Sequence, residues 1–406
     1  MSKTTETAEV VIVGGGVIGA SVAYHLAVRG CREVLVLERE PELGRGSTGR
    51  ATGGFRAQFA SEIDVRLSLL AREKLLRFRD EVGADSGYRP CGYLFLAEAP
   101  ARLAALRALA PFHRPAGLPQ VEDVAAEDLR RLNPAVRRDG IAGGTFCPLS
   151  GFLRPLDLLA GYARAARRLG ARCATDVEVV GFAVEQRGGE RRVTAVETSR
   201  GRIAARCVVN AAGPWAGVVA RLAAIELPVS PLRRQVAFTE PFAELPEDMP
   251  MTVFLDDGFH LRVRDGRVLL LWPAETSSEP SAGPVWPPGS GDPFDTRFAA
   301  TWLPGVLARA HARLPCLARA AIDLPACWAG LYEMSPDRHA IVGPAPGCAN
   351  FYLANGSSGH GIMHAPALGQ LLAEMILDGA AHTLDLHPLR PTRFAEGQPI
   401  TDPDLL

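Results

Sequence analysis

The chain has 406 residues, 47% hydrophobic and 22% charged, enough apolar material for two or three domains around a large core. With 44 Lys and Arg against 45 Asp and Glu the formal net charge is -1, so no overall basic field argues for nucleic acid or an anionic membrane surface. Eight cysteines without CxxC or CxxxC spacing point to free thiols in a cytoplasmic protein, not to disulfides or a metal site.

Glu9 to Val13 is a short β-branched run, followed by Gly14-Gly15-Gly16-Val17-Ile18-Gly19 and a helical pattern with Ile18, Val22 and Leu26 on one side, ending near Gly30. The nearly uncharged run Val10 to Val28 has the length of a membrane span. It contains four glycines and follows Glu6 and Glu9 with no basic flank beyond Lys3, so no membrane span is expected. Gly14 suits a tight turn, Gly16 lets backbone approach a pyrophosphate at the helix N-terminus, and Gly19 lets the helix lie close on the strand. A second apolar run, Val34 to Leu37, ends at Glu38, which is placed to accept hydrogen bonds from an adenosine ribose. Strand, glycine turn, helix, strand and acid together predict dinucleotide binding.

NAD and FAD share that fingerprint, and the next segment distinguishes them. Where a nicotinamide enzyme would continue with another βαβ unit, this chain runs through Gly46 to Phe59, GSTGRATGGFRAQF, into an amphipathic helix with Ile63, Leu67, Leu70, Leu75, Phe78 and Val82 on one face. A loop of small residues and hydroxyls can wrap a second polar portion of a long cofactor, which favours FAD. Gly92 to Ala97 reads as a strand, Ala101 to Ala110 and Ala126 to Leu132 as short helices, and Pro155 to Leu169 as a helix. Strands are predicted at Ala171 to Phe182 and Arg191 to Glu197, joined at Gly188-Gly189. The strand Arg206 to Asn210 runs into Asn210-Ala211-Ala212-Gly213-Pro214-Trp215, again a strand end, small residues and a helix start. Val229 to about Trp272 is β-rich, and Ser277 to Phe294 is a Pro/Gly/Ser loop. A last strand, Phe351 to Ala354, precedes Asn355-Gly356-Ser357-Ser358-Gly359-His360-Gly361-Ile362 and a closing helix.

These ordered motifs, VVIVGGGVIGASVAYHLA, VLVLER, GSTGRATGG, VVNAAGPWA, WAGLYEMSPDRHAIVGP and NFYLANGSSGHGIMHAPALG, resemble the D-amino-acid oxidase superfamily of flavoproteins over nearly the whole chain. The resemblance implies an α/β fold: a discontinuous Rossmann-like FAD-binding domain (residues 8–85, 145–225 and 325–395) with an inserted substrate domain of antiparallel sheet plus helices (86–144 and 226–324), and a tail at 396–406. It implies FAD contacts at Gly14, Gly16, Val17, Ile18 and Gly19, at Glu38 and Arg39, and along Gly46, Ser47, Thr48, Arg50, Ala51, Thr52, Gly53 and Gly54. Val177 would lie at the adenine, with Ala211, Gly213, Trp215, Gly330 and Asp337 also on the cofactor side. Gly356, Ser358, Gly359, His360, Gly361 and Ile362 would meet the pyrimidine edge of the flavin, where a helix N-terminus stabilises the charge that reduction creates.

Departures from the family refine the expectation. Arg50 stands where some relatives tether flavin to a histidine, and Gly330 where others use a cysteine, so FAD is expected to be noncovalent. Tyr332 replaces the arginine that clamps a carboxylate in glycine and D-amino-acid oxidases. With only Lys3 and Lys74 in the chain, lysine-assisted oxygen reduction is not expected, leaving another cation or an acceptor other than O2. The implied reaction is hydride transfer from a small amine or amino acid, sarcosine-, proline- or D-amino-acid-like, to flavin N5, with hydrolysis of the imine. Arg56, Arg262, Arg233 and Arg234 are candidate carboxylate ligands, Tyr332 and His260 candidates for orienting the amine, and His360 a contributor to the field at the flavin; His339 and His364 read as structural. Two other readings stay open: flavin oxidation of a 2-hydroxy acid or polyol, and a noncatalytic flavin-holding assembly factor or subunit working beside a partner.

Overall fold

A computed structural model describes residues 6–273 and 292–402; the loop expected at Ser277 to Phe294 lies almost wholly outside the described residues. Eight strands form a first sheet whose centre is parallel: Arg172–Ala174, Val34–Leu37, Glu6–Val13, Gly201–Asn210 and Cys348–Asn355, in that spatial order. Val13 pairs with Leu37 on one side and Asn210 on the other, and Asn210 pairs with Leu353, so the carboxyl ends of the strands are level. That edge, where each strand gives way to a glycine-containing turn, is where ligands bind in open α/β sheets.

The helix Val17–Val28 buries nearly every side chain, more than the one-sided pattern of Ile18, Val22 and Leu26 implies. It is wedged between the sheet, the helix Pro155–Arg168 and the closing helix Gly361–Asp378, and small residues make room: a Cβ on Gly369 would stand 2.1 Å from Ser21 Oγ. A Cβ on Gly19 would stand 2.1 Å from the Gly14 carbonyl oxygen. Gly19→Ala is therefore expected to push the helix off the first turn and yield protein that purifies without yellow colour, checked by absorbance near 450 nm.

The strand predicted from Ala171 to Phe182 is two strands. Arg172–Ala174 joins the parallel sheet, Asp176 turns the chain at φ 53°, and Val179–Arg187 leaves to form a hairpin with Glu190–Thr198. The amphipathic helix likewise divides into Glu62–Leu76 and Phe78–Val82 at Arg77, with Leu70 only half-buried.

A second eight-stranded sheet runs from Trp328–Met334 through Ser230–Phe238, Arg267–Leu271, His260–Arg264, Met251–Phe254, Tyr93–Ala97 and Gly143–Cys147 to Glu122–Val124. It is antiparallel except where Met251–Phe254 runs parallel to Tyr93–Ala97, a correction to the wholly antiparallel expectation. The pair comes from distant parts of the chain, so no hairpin dictates its direction. No described helix is long and apolar enough to cross a membrane.

Candidate functional site

A cavity of about 900 Å³ starts at the carboxyl edge of the first sheet, against Val13, Leu37 and Glu38, and ends against Tyr93, Met251, His260 and Leu271 of the second. Every cofactor or catalytic candidate named from the sequence lines it except Gly19, Arg233, Arg262, Asp337 and Gly356.

The long arm is built for close approach of a ligand to backbone. Gly14 has φ 116°, and a Cβ there would meet the Ala211 carbonyl oxygen at 2.3 Å, while one on Gly53 (φ 78°) would meet the Leu153 carbonyl oxygen at 2.3 Å. Thr48 Oγ1 accepts from the Val17 N–H at 3.1 Å, Ser47 Oγ donates to the Leu331 carbonyl at 2.7 Å, and Trp328 Nε1 donates to the Arg50 carbonyl at 3.0 Å. These bonds fasten the glycine loop to both the first helix and the second sheet. Glu38 accepts from the Gly15 N–H at 2.8 Å and the Glu40 N–H at 3.0 Å, and each oxygen keeps a further lone pair for a ribose hydroxyl. Arg39 lies 4.1 Å over the Trp215 ring, which stacks on Phe294 at 5.1 Å, and all three line the cavity near Glu38.

Two helix N-termini face the cavity. Neither Val17–Val28 nor Gly361–Asp378 has a side-chain cap on its N-cap residue or an acid in its first turn, so their positive ends are open to anionic groups. The residues present thus fit FAD: a glycine turn and helix end for the diphosphate, an acid for the ribose, and a second helix end for the reduced ring.

At the short arm the Arg56 side chain is buried. Its Nη2 is 2.9 Å from His360 Nε2, its Nη1 donates to the Gln58 carbonyl at 3.3 Å, and its guanidinium lies 4.0 Å over the Phe59 ring. Burial pulls the Arg56 pKa down, and no carboxylate among the described residues forms an ion pair with it. His260 donates from Nδ1 to the Gly258 carbonyl at 2.8 Å, the tautomer that leaves Nε2 as an acceptor. Burial is the main reason its pKa is lowered, with Arg234 and Arg56 adding to the effect; His360 is likewise held neutral by burial and by Arg56. Arg234 also lines the cavity, 5.8 Å over the Tyr332 ring, whereas Arg233 turns away to Asp295 at 3.5 Å.

Four further candidates are placed elsewhere. Arg262 donates to the Thr52 carbonyl at 2.9 Å and stacks 3.7 Å over Phe152, and burial brings its pKa down to about 9. It lies two residues along the same strand face as His260, but its guanidinium is taken up by the carbonyls of the glycine loop and it does not line the cavity. Arg262→Ala is expected to weaken FAD retention, measured by fluorescence on dilution, while leaving the substrate KM of the flavin-replete enzyme unchanged. Asp337 forms a buried ion pair with Arg393 at 2.7 Å, and Gly19 and Gly356 act through packing, Gly356 at φ 69° against Ser335 and Ile341. His364 bonds Ser68 Oγ at 2.9 Å.

Two lining residues, Tyr93 and Glu333, escaped the sequence reading. The Tyr93 hydroxyl is 2.6 Å from where a Gly54 Cβ would be, so it lies against the glycine loop. Glu333 is 8% exposed, and burial raises its pKa to about 7. The signal was an acid inside an otherwise apolar strand, Trp328–Met334. A carboxyl whose folded pKa is raised adds stability below its ordinary pKa near 4.5 and loses it as pH rises through 7. Glu333→Gln is therefore expected to match wild type near pH 4.5 and to exceed it at pH 8 by on the order of 3 kcal/mol, read from denaturant midpoints at the two pH values.

Comparison with known proteins agrees with this geometry. Residues 9–375 match the DAO family, described as FAD dependent oxidoreductase. The chain is 31% identical to mitochondrial dimethylglycine dehydrogenase of Mus musculus over 96% of its own length and 44% of that protein's. It is 30% identical to FAD-dependent oxidoreductase domain-containing protein 1 of Bos taurus, over 97% of its own length and 86% of that protein's. The chain therefore spans less than half of the dehydrogenase and most of the second relative. Among solved structures, L-proline dehydrogenase from P. horikoshii superposes with a TM-score of 0.86 at 27% identity, covering 98% of this chain and all of that one. A glycine turn against two open helix ends, an acid at the second strand and a family match over nine-tenths of the chain make this protein a member of the DAO family of FAD-dependent oxidoreductases.

Proposed function

We propose that the protein oxidises the C–N bond of a small carboxylate-bearing amine: an amino acid, or a secondary or N-alkyl amine resembling sarcosine or proline. Bound FAD supplies the hydride acceptor, and water hydrolyses the imine product. The observation that carries this reading is Arg56, a buried cation in the short arm with no carboxylate ion-paired to it among the described residues. A substrate carboxylate supplies the missing charge in a charge-assisted, bidentate contact. His360, accepting from Arg56, holds the guanidinium in place.

Hydride leaves the carbon next to nitrogen only when the amine is neutral. Arg56 and Arg234 on the cavity wall disfavour an ammonium there, and the acceptor Nε2 of His260 can take up an N–H or the released proton. Tyr93, Phe95, Met251 and Leu271 make the surrounding slot apolar, which excludes water from the reacting carbon. Names of relatives support the substrate class: dimethylglycine dehydrogenase, and mitochondrial sarcosine dehydrogenase of Homo sapiens at 30% identity.

The flavin is held without a covalent bond. Arg50 Nη1 is engaged by the Arg45 and Gly46 carbonyls, Gly330 packs tightly against Arg50, a Cβ there standing 3.0 Å from the Arg50 Cβ, and none of the eight free cysteines lines the cavity. Acid precipitation is expected to leave all the yellow colour in the supernatant. Lys74 lies outside the cavity near Glu81, so the cations that line the cavity among the described residues are arginines; the electron acceptor is O2 or a redox partner. The deciding experiment is anaerobic: sarcosine, L-proline, dimethylglycine and D-amino acids are mixed with the yellow protein. Bleaching by an amine carboxylate is expected; bleaching by 2-hydroxy acids alone would replace the amine reading, and protein without flavin would remove both.

A further inference from the structure

We infer that the Glu333 carboxyl is a redox-linked proton acceptor of the flavin site, taking up one proton from solvent when the bound ring is reduced; this rests on the FAD site described above. Glu333 lies in the strand Trp328–Met334, is 8% exposed, and lines the cavity together with Gly330, Leu331 and Tyr332. Its strand is fixed against the turn that opens the closing helix. The Ser358 N–H donates to the Glu333 carbonyl at 3.0 Å, the Ser335 N–H donates to Ser358 Oγ at 3.1 Å, and Met334 is bridged to Ser357. That turn runs on into Ser358 to Met363, which line the same cavity.

The carboxyl has no charged partner among the described residues. The groups turned towards it are the Ser357 hydroxyl and the N–H groups of Gly356 and Ser357. None is aligned well enough to satisfy Oε2, which is sealed from solvent without a hydrogen bond, and the Ser357 hydroxyl is in the same condition. Packed around the strand are Ser230–Phe238, the turn Gly213–Trp215, the glycine loop at Arg50 and the 356–362 segment. Their titratable side chains are Arg233, Arg234, Arg50 and His360, with Tyr332 on the strand itself, and none of these is among the groups that shift Glu333. An ionised carboxylate without a counter-charge is costly in such a place, and burial accordingly raises its pKa to about 7. A neutral side chain of the same size would avoid that cost, so an acid beside a cavity here is a candidate for proton chemistry.

Reduction by the amine delivers two electrons and one proton as hydride, so the ring gains one negative charge. Two negative charges would then compete for one positive end: the closing helix has no side-chain cap and no acid in its first turn, and the N–H groups just before it face Glu333. Like charges at one place disfavour each other's ionisation. Charge arriving on the ring therefore raises the affinity of Glu333 for a proton. The substrate C–H bond breaks, both electrons pass to the ring, and an O–H bond forms on Glu333 with a proton from solvent. The net charge of the site is the same before and after.

The test uses full-length flavin-loaded protein, with the flavin midpoint potential followed by spectroelectrochemistry against pH. Above about pH 7 the wild type is expected to take up one proton more per two electrons than Glu333→Gln, so its reduction equilibrium falls about ten-fold further per pH unit. A unit or more below that pH the two should run parallel. In infrared difference spectra at about pH 8, reduction should add the carbonyl band of a protonated carboxyl in the wild type and not in Glu333→Gln. The variant keeps the side-chain shape and is expected to retain FAD, read at 450 nm. Equal proton uptake in the two proteins, no carboxyl band gained by the wild type, or loss of FAD from Glu333→Gln would each overturn the inference and leave the FAD site standing. Wild-type protein that holds no FAD would overturn both.

Discussion

Arg56→Ala is expected to keep the flavin and lose the substrate. The guanidinium is buried, bonded to His360 at 2.9 Å, and has no carboxylate ion-paired to it among the described residues. Removing it takes away the charge that would meet the substrate carboxylate, at about 2–4 kcal/mol, or roughly 30- to 1000-fold in kcat/KM. The 450 nm band should remain, because Arg56 lies at the short arm and not in the glycine cradle. A carboxylate probe such as acetate or benzoate, which should perturb the wild-type flavin spectrum, should leave the variant's unchanged. Arg56→Lys should recover only part of the loss, since a point charge does not reproduce the planar fork. Unchanged KM and kcat in Arg56→Ala would move the carboxylate to another group, with Arg234 next in line.

Asp337→Ala is expected to destabilise the fold by about 3–5 kcal/mol without removing any cavity contact. The ion pair with Arg393 is 2.7 Å long with side chains 2% and 0% exposed, and Asp337 also accepts from the Ile400 N–H at 3.1 Å. Truncation leaves Arg393 charged and buried with only carbonyls for company. Urea midpoints should fall while FAD content and kcat of the folded fraction stay near wild type. The double change Asp337→Ala with Arg393→Met should recover part of the loss, because no buried charge is then left unpaired. A variant that folds normally but loses FAD would show instead that Asp337 serves the cofactor, as the sequence resemblance implied.

These two residues show where sequence reasoning reaches and where it stops. The cofactor cradle was legible because its determinants are local: Gly14, Gly16 and Glu38 sit at fixed offsets from two strands, and backbone geometry alone dictates what a turn and a helix end can hold. The strand Val34–Leu37, the second half of Gly201–Asn210 and the helix Pro155–Arg168 follow from runs and periodicity in the same way. Arg56 was legible for its place just after the glycine loop, though no more so than Arg262.

What separated Arg56 from Arg262 was depth. Both are arginines on short extended segments, yet one opens into the cavity and the other turns to the Thr52 carbonyl behind the loop. Asp337 and Arg393 are 56 positions apart, and nothing local announces that they meet. The same holds for Glu333, whose displaced pKa comes from burial by neighbours distant in sequence, and for His339 between Asp64 and Asp402. The sequence by itself determined the dinucleotide-binding unit, the family and the residue types able to hold an anion, because these rest on backbone conformation and short-range spacing. Only the tertiary structure decided which arginines line the cavity, which acid is buried without an ion pair and which histidine lies between two aspartates, because desolvation and charge pairing depend on long-range packing.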